Sequence, residues 1–188
     1  MTNYLLISFS YFLGSIPFSK IFAGKRGFDI TKIGSKNPGA TNVWKNVGWG
    51  EGLTVLILDI SKGVIPVSIS NLVGAEKNII LIVGFAAVFG HCFSPFLKFY
   101  GGNGISTSMG IFAYVIPKEF FIVLPIGLTL YYIFKLQELG VFVGTILTLY
   151  FLYFFHEPLS YFQFFIAIMI LFGLTGLRKL YVQGKIKL

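Results

Sequence analysis

Apolar residues come in long blocks along this chain. The blocks run at roughly 3–23, 53–73, 78–97, 105–117, 119–134, 139–155 and 159–177, and one long polar segment, Gly24 to Gly50, divides the first two. A helix needs roughly 20 mostly apolar residues to cross hydrocarbon, and the longer blocks reach that length. Runs of Phe, Leu and Ile suit helices, whose backbone groups are satisfied internally. The ten-residue alternation of a barrel strand does not occur. The pattern predicts an all-α integral membrane protein, a bundle of seven transmembrane helices. The fourth and fifth blocks are short and meet at Pro117-Lys118-Glu119. A second topology therefore fits as well, with that pair re-entrant and five full spans. There is no internal repeat and no linker, so residues 1–188 are expected to form one membrane domain.

Charge orients the bundle. With the N-terminus outside, the inner joints hold Lys25, Arg26, Lys32, Lys36, Lys45, Lys98, Lys135, Arg178, Lys179, Lys185 and Lys187, and the outer joints hold only Lys77 and Lys118. Basic residues accumulate on the cytoplasmic side. The expected arrangement is an outer N-terminus, a cytoplasmic C-terminus and a cytoplasmic 24–50 loop. The first block resembles a secretory signal in length. No Lys or Arg precedes it and several spans follow, so it is expected to remain as a helix.

Composition agrees. Only 12% of residues are charged, with a mean hydropathy of +0.81, against about 25% charged in soluble domains. One small soluble core could not hide this much apolar surface. The net charge of +8 is explained by topology and anionic head groups, so a nucleic-acid partner is not expected. A single cysteine, Cys92, excludes an internal disulfide and a cysteine-based metal cluster.

Two polar segments could carry chemistry. The first reads Gly34-Ser35-Lys36-Asn37-Pro38-Gly39-Ala40-Thr41-Asn42, with Lys45 just beyond. Small residues let backbone N–H groups approach an anion, and Ser35, Asn37, Thr41 and Asn42 add neutral donors. The second follows Gly90-His91 and reads Gly101-Gly102-Asn103-Gly104 before an apolar helix, whose N-terminus favours an anion. Plain turns between helices explain either segment alone. Their shared inner side favours a phosphorylated, lipid-linked substrate. His91, near the inner end of an apolar helix, is a functional candidate. Asp59 and Lys62, three apart, share a helix face and are expected to pair or to face a polar cavity. The basic stretch from Arg178 onward fits a tail anchored on anionic lipid.

Together these motifs resemble the acyl-phosphate-dependent glycerol-3-phosphate acyltransferases of bacteria, the PlsY family. The resemblance lies in Leu13-Gly14-Ser15-Ile16-Pro17-Phe18, Asp29-Ile30, Gly34 to Val43, Leu58-Asp59 with Lys62-Gly63, Gly90-His91, and Gly101-Gly102 with Gly104. It implies a seven-helix enzyme of the bacterial cell membrane with its active site facing the cytoplasm. Such an enzyme moves a fatty acyl group from acyl phosphate to the 1-hydroxyl of glycerol 3-phosphate, giving lysophosphatidic acid and phosphate. It implies Ser35 and His91 as catalytic residues. Asn37, Thr41, Asn42, Lys45, Gly101, Gly102, Asn103 and Gly104 would bind substrate. No metal or cofactor is implied, and the partner would be a peripheral enzyme that makes acyl phosphate. The family pattern has arginine at Lys45 and lysine at Asn103. It has a serine-containing segment where Glu138 stands, and a C-terminal His-Arg-Glu-Asn that is missing here. These departures motivate a second reading: a degenerate homologue that binds a phosphorylated lipid or a partner without turnover.

Overall fold

The structure, a computed structural model, describes residues 1–134 and 137–182. Lys135, Lys185 and Lys187, counted above among the inner charges, lie outside the described residues, as does the side chain of Glu138. The described residues form nine α-helices and one 3-10 turn, Pro95–Leu97. Four stretches are long and apolar enough to cross a membrane: Thr2–Lys25, Trp49–Leu72, Lys77–Leu97 and Leu159–Tyr181.

The first of these stretches is broken. Helix α1 (Thr2–Ser15) and helix α2 (Phe18–Lys25) are separated by Ile16 and Pro17. A residue before proline avoids helical geometry, and Ile16 is extended, at φ −59° and ψ 119°. The break takes the carbonyls of Ser15 and Ile16 out of the helical ladder. Ser94 Oγ donates to Ser15 O at 2.6 Å, and Lys62 Nζ donates to Ile16 O at 3.0 Å. A proline thus creates two acceptors that the rest of the bundle fills.

The polar loop that follows contains a short helix, α3 (Ala40–Asn46). Helix α4 (Trp49–Leu72) then crosses, followed by α5 (Lys77–Cys92). Helix α6 (Ile105–Val115) has 11 residues, so alone it covers about 16 Å of a hydrocarbon layer about 30 Å thick. Pro117 opens α7 (Pro117–Tyr132), and α8 (Gln137–Phe154) and α9 (Leu159–Val182) complete the order.

Glycines set the closest crossings. A side chain at Gly14 would run into the Ala87 carbonyl, and one at Gly90 into the Tyr11 carbonyl, so α1 and α5 touch backbone to backbone. Gly63 faces the Thr107 carbonyl and Gly110 the Ile60 carbonyl, which brings α4 against α6. The main core joins Val83, Ala87 and Val88 of α5 to Ile111 of α6, Leu152 of α8 and Ile168 of α9. A smaller core of Ala23, Ile30, Ala40, Val43 and Val55 seats the polar loop on α2 and α4. Large apolar side chains such as Phe121, Phe142, Ile170 and Leu174 remain exposed on the outside of the bundle.

Candidate functional site

His91 lies near the C-terminal end of α5 and is buried. Its Nδ1 is 3.1 Å from Thr107 Oγ1 on α6 and 3.8 Å from Asp59 Oδ1 on α4. Asp59 Oδ1 in turn accepts from Lys62 Nζ at 2.8 Å, with both side chains almost fully buried. Lys62 also sits 5.4 Å from the centre of the Phe18 ring. A polar chain therefore runs from the α1–α2 break through Lys62 and Asp59 to the imidazole. The expected Asp59–Lys62 pairing is present. In the apolar interior a removed partner would leave an uncompensated charge.

The glycine segment folds directly onto His91. Gly102 N donates to His91 O at 3.1 Å, and Gly101 N donates to Cys92 O at 3.0 Å. His91 Nε2 occupies the space that a side chain at position 102 would need, and His91 O occupies that space at 101. Gly104 adopts φ 85° against Cys92 Sγ and starts α6. The first amides of α6 have no helical acceptor, the usual condition for anion binding at a helix start. The intervening turn carries two consecutive non-glycine residues in the left-handed region, Lys98 at φ 53° and Phe99 at φ 62°.

Arg178 fixes this turn from above. It belongs to α9, which continues to Val182; it does not begin the lipid-anchored tail that the sequence suggested. Its Nη1 donates to Cys92 O at 3.0 Å and to Phe99 O at 3.1 Å, and its Nη2 donates to Gly101 O at 3.0 Å. The guanidinium also stacks 4.6 Å from the Tyr100 ring centre and 5.3 Å from that of Phe93. A planar fork satisfies three carbonyls at once, which an ammonium could not do in this geometry.

Asn42 organises the first loop. Its Oδ1 accepts from Ser35 N at 3.1 Å and from Asn46 Nδ2 at 2.9 Å, and its Nδ2 donates to Ile30 O and Ile33 O, each at 3.1 Å. The hydrogen-bonding capacity of the amide is thus used inside the protein. Asn42, expected to bind substrate, ties together the loop that contains Ser35 through these bonds. Ser19 Oγ donates to Pro38 O at 2.8 Å and ties the loop to α2. Thr41 and Lys45 are exposed on α3, and Asn37 and Asn103 are half-buried. Asp29 accepts from the Thr31 hydroxyl at 2.6 Å, which holds its carboxyl below the usual carboxylate range.

The two loops share one end of the bundle. Lys20 and Thr31 on one side, and Phe96, Leu97, Lys98 and Tyr100 on the other, line a cavity of about 360 Å³. Ser35 belongs to the Asn42 group, and His91 belongs to the Asp59–Thr107–Gly102 group. The clamp by Arg178 and the inward use of Asn42 were not anticipated. The Asn42–Asn46 spacing of four was the one sequence signal for the latter.

The fold and these buried polar groups define an all-helical integral membrane protein with glycine-rich loops gathered at one end. Residues 4–179 match the glycerol-3-phosphate acyltransferase family profile, and the chain belongs to that family, of the PlsY type. A glycerol-3-phosphate acyltransferase of Leptospira borgpetersenii is 40% identical over 169 residues, covering 85% of this chain and 77% of the relative. One from Fusobacterium nucleatum is 37% identical over 159 residues, covering 84% and 81%. The crystal structure of PlsY, an integral membrane glycerol 3-phosphate acyltransferase, in its glycerol 3-phosphate form, superposes with a TM-score of 0.86. It is 28% identical, with coverage of 100% of this chain and 95% of that one. The lysophosphatidic acid form of the same enzyme gives a TM-score of 0.82.

Proposed function

We propose that this chain transfers a fatty acyl group from acyl phosphate to the 1-hydroxyl of glycerol 3-phosphate, releasing lysophosphatidic acid and inorganic phosphate. The observation that carries the reading is the Gly101–Gly104 segment. In a chain of this family it is fastened to His91 from below and Arg178 from above, at the bundle end that also holds the Ser35 loop.

The donor is already activated, so the protein's task is alignment and charge stabilisation. The amides of Gly101–Gly104 and of the first turn of α6 receive phosphoryl oxygens. Ser35, Asn37 and Thr41 add hydroxyl and amide groups, and Lys45 adds a cation. The glycerol hydroxyl oxygen attacks the acyl carbonyl carbon. The bond from that carbon to the phosphate oxygen breaks, and a phosphate oxygen takes the hydroxyl proton. His91 polarises and positions, held by Thr107 with the Asp59 carboxylate beside it.

The chain forms one domain in a bacterial cell membrane, N-terminus outside and C-terminus cytoplasmic, with seven crossings and the site facing the cytoplasm. The fourth crossing uses α6 together with the buried glycine segment before it. Non-helical backbone is tolerated at membrane depth where protein surrounds it. The donor comes from a peripheral enzyme at the same face. The test supplies labelled glycerol 3-phosphate and acyl phosphate to the purified full chain in lipid. Label should pass into an extractable lysophosphatidic acid only when acyl phosphate is present. Binding without any such transfer would favour the non-enzymatic homologue instead.

A further inference from the structure

The cavity between the two loops has its own chemistry. Lys20, Thr31, Phe96, Leu97, Lys98 and Tyr100 line it, and none of them lies in the glycine segments. Among the described residues neither lysine forms an ion pair. The carboxylate nearest Thr31, that of Asp29, accepts from its hydroxyl and lies 3.6 Å from Lys32 Nζ, so it is already compensated. Arg178 stacks on Tyr100 and places a third cation behind the wall. Lys98 stands in a left-handed conformation at φ 53°, which side chains adopt rarely. The next carbonyl, that of Phe99, is fixed by Arg178. Backbone held in this way clusters at ligand sites. Phe96 and Leu97 give the same cavity an apolar lip.

We infer that this cavity binds the phosphate head of an acylated, membrane-held molecule, with Lys20 and Lys98 as its cations. The inference rests on the acyltransferase reading above. Two flexible ammonium groups can follow a phosphate through several positions, and the apolar lip lets an acyl chain leave toward lipid. Acyl phosphate and lysophosphatidic acid both present this chemistry, whereas glycerol 3-phosphate lacks the chain.

The test compares the full chain in lipid with Lys20→Gln, Lys98→Gln, the double variant, and Lys20→Arg and Lys98→Arg. Each glutamine should raise KM for acyl phosphate, or weaken inhibition by lysophosphatidic acid, about 10-fold, with KM for glycerol 3-phosphate held within about twofold. The arginine variants should stay near the parent. A change confined to KM assigns the cavity to the donor, and one confined to inhibition assigns it to the product. A rise in KM for glycerol 3-phosphate alone, or no change in either measure, overturns the inference. If the parent shows no turnover, the acyltransferase reading falls first. Thermal stabilisation by lysophosphatidic acid then decides this one: weaker stabilisation of the double glutamine variant supports it, and equal stabilisation overturns it.

Discussion

Asp59 and Lys62 are paired at 2.8 Å with both side chains almost fully buried, and the same carboxylate stands 3.8 Å from His91. Removing one partner from such a pair costs about 3–5 kcal/mol, whereas replacing both by apolar groups costs far less. Asp59→Ala should therefore lower the thermal midpoint of the purified protein sharply, and Asp59→Leu with Lys62→Met should recover most of the loss. Equal losses in the two would contradict a paired site. Arg178 acts differently, by positioning carbonyls. Arg178→Lys keeps the charge and loses the fork, so the midpoint should fall modestly as carbonyls lose their donors, while kcat/KM for glycerol 3-phosphate, measured on the folded protein, should fall about 10-fold or more. A lowered midpoint with kcat/KM of the folded protein unchanged would mark the residue as structural only. The sequence made the Asp59–Lys62 pair legible because spacing of three fixes a helix face. The contacts of Arg178 with residues 92–101 span more than 70 positions and have no local signature.

The helices followed the apolar blocks closely, because burial in lipid demands length and composition that sequence displays directly. Two features escaped. The break at Ile16–Pro17 fell inside a continuous apolar block, although the proline marked it. Helix α3 fell inside the polar loop, where seven residues held by Val43 and Asn42 are too short for a periodic signal. The α9 boundary was also drawn early, because Arg178 and Lys179 read as the start of a tail. Among the crossings, α4 against α6 depends on Gly63 and Gly110 meeting opposite backbones. Gly110→Leu would force these helices apart and shift Thr107 away from His91. The expected outcome is loss of activity with a lower midpoint, measured beside Gly127→Leu, where a side chain would meet nothing. Equal effects at the two positions would argue against the close crossing.

Across the whole molecule, two loops far apart in sequence are brought to one end by carbonyls freed at a proline, by serine tethers and by an arginine on the last helix. Glycine spacing and the family resemblance made the candidate segments visible, and charge bias suggested their side of the membrane. The inward turn of Asn42 and the cavity at Lys20 and Lys98 depend on tertiary placement, which no local pattern encodes. Orientation can be checked on intact cells carrying Cys92→Ala. A cysteine at Lys77 should react with an impermeant maleimide, and one at Lys36 should react only after the membrane is opened. The reverse labelling would place the site on the wrong face. The most direct test of the central claim follows phosphate and lysophosphatidic acid together, using the full chain in lipid with acyl phosphate and glycerol 3-phosphate. The account predicts one phosphate released per lysophosphatidic acid formed, with Ser35→Ala and Gly102→Ala each slowing both by about 100-fold. No release above the protein-free background, or release that neither substitution alters, would contradict it.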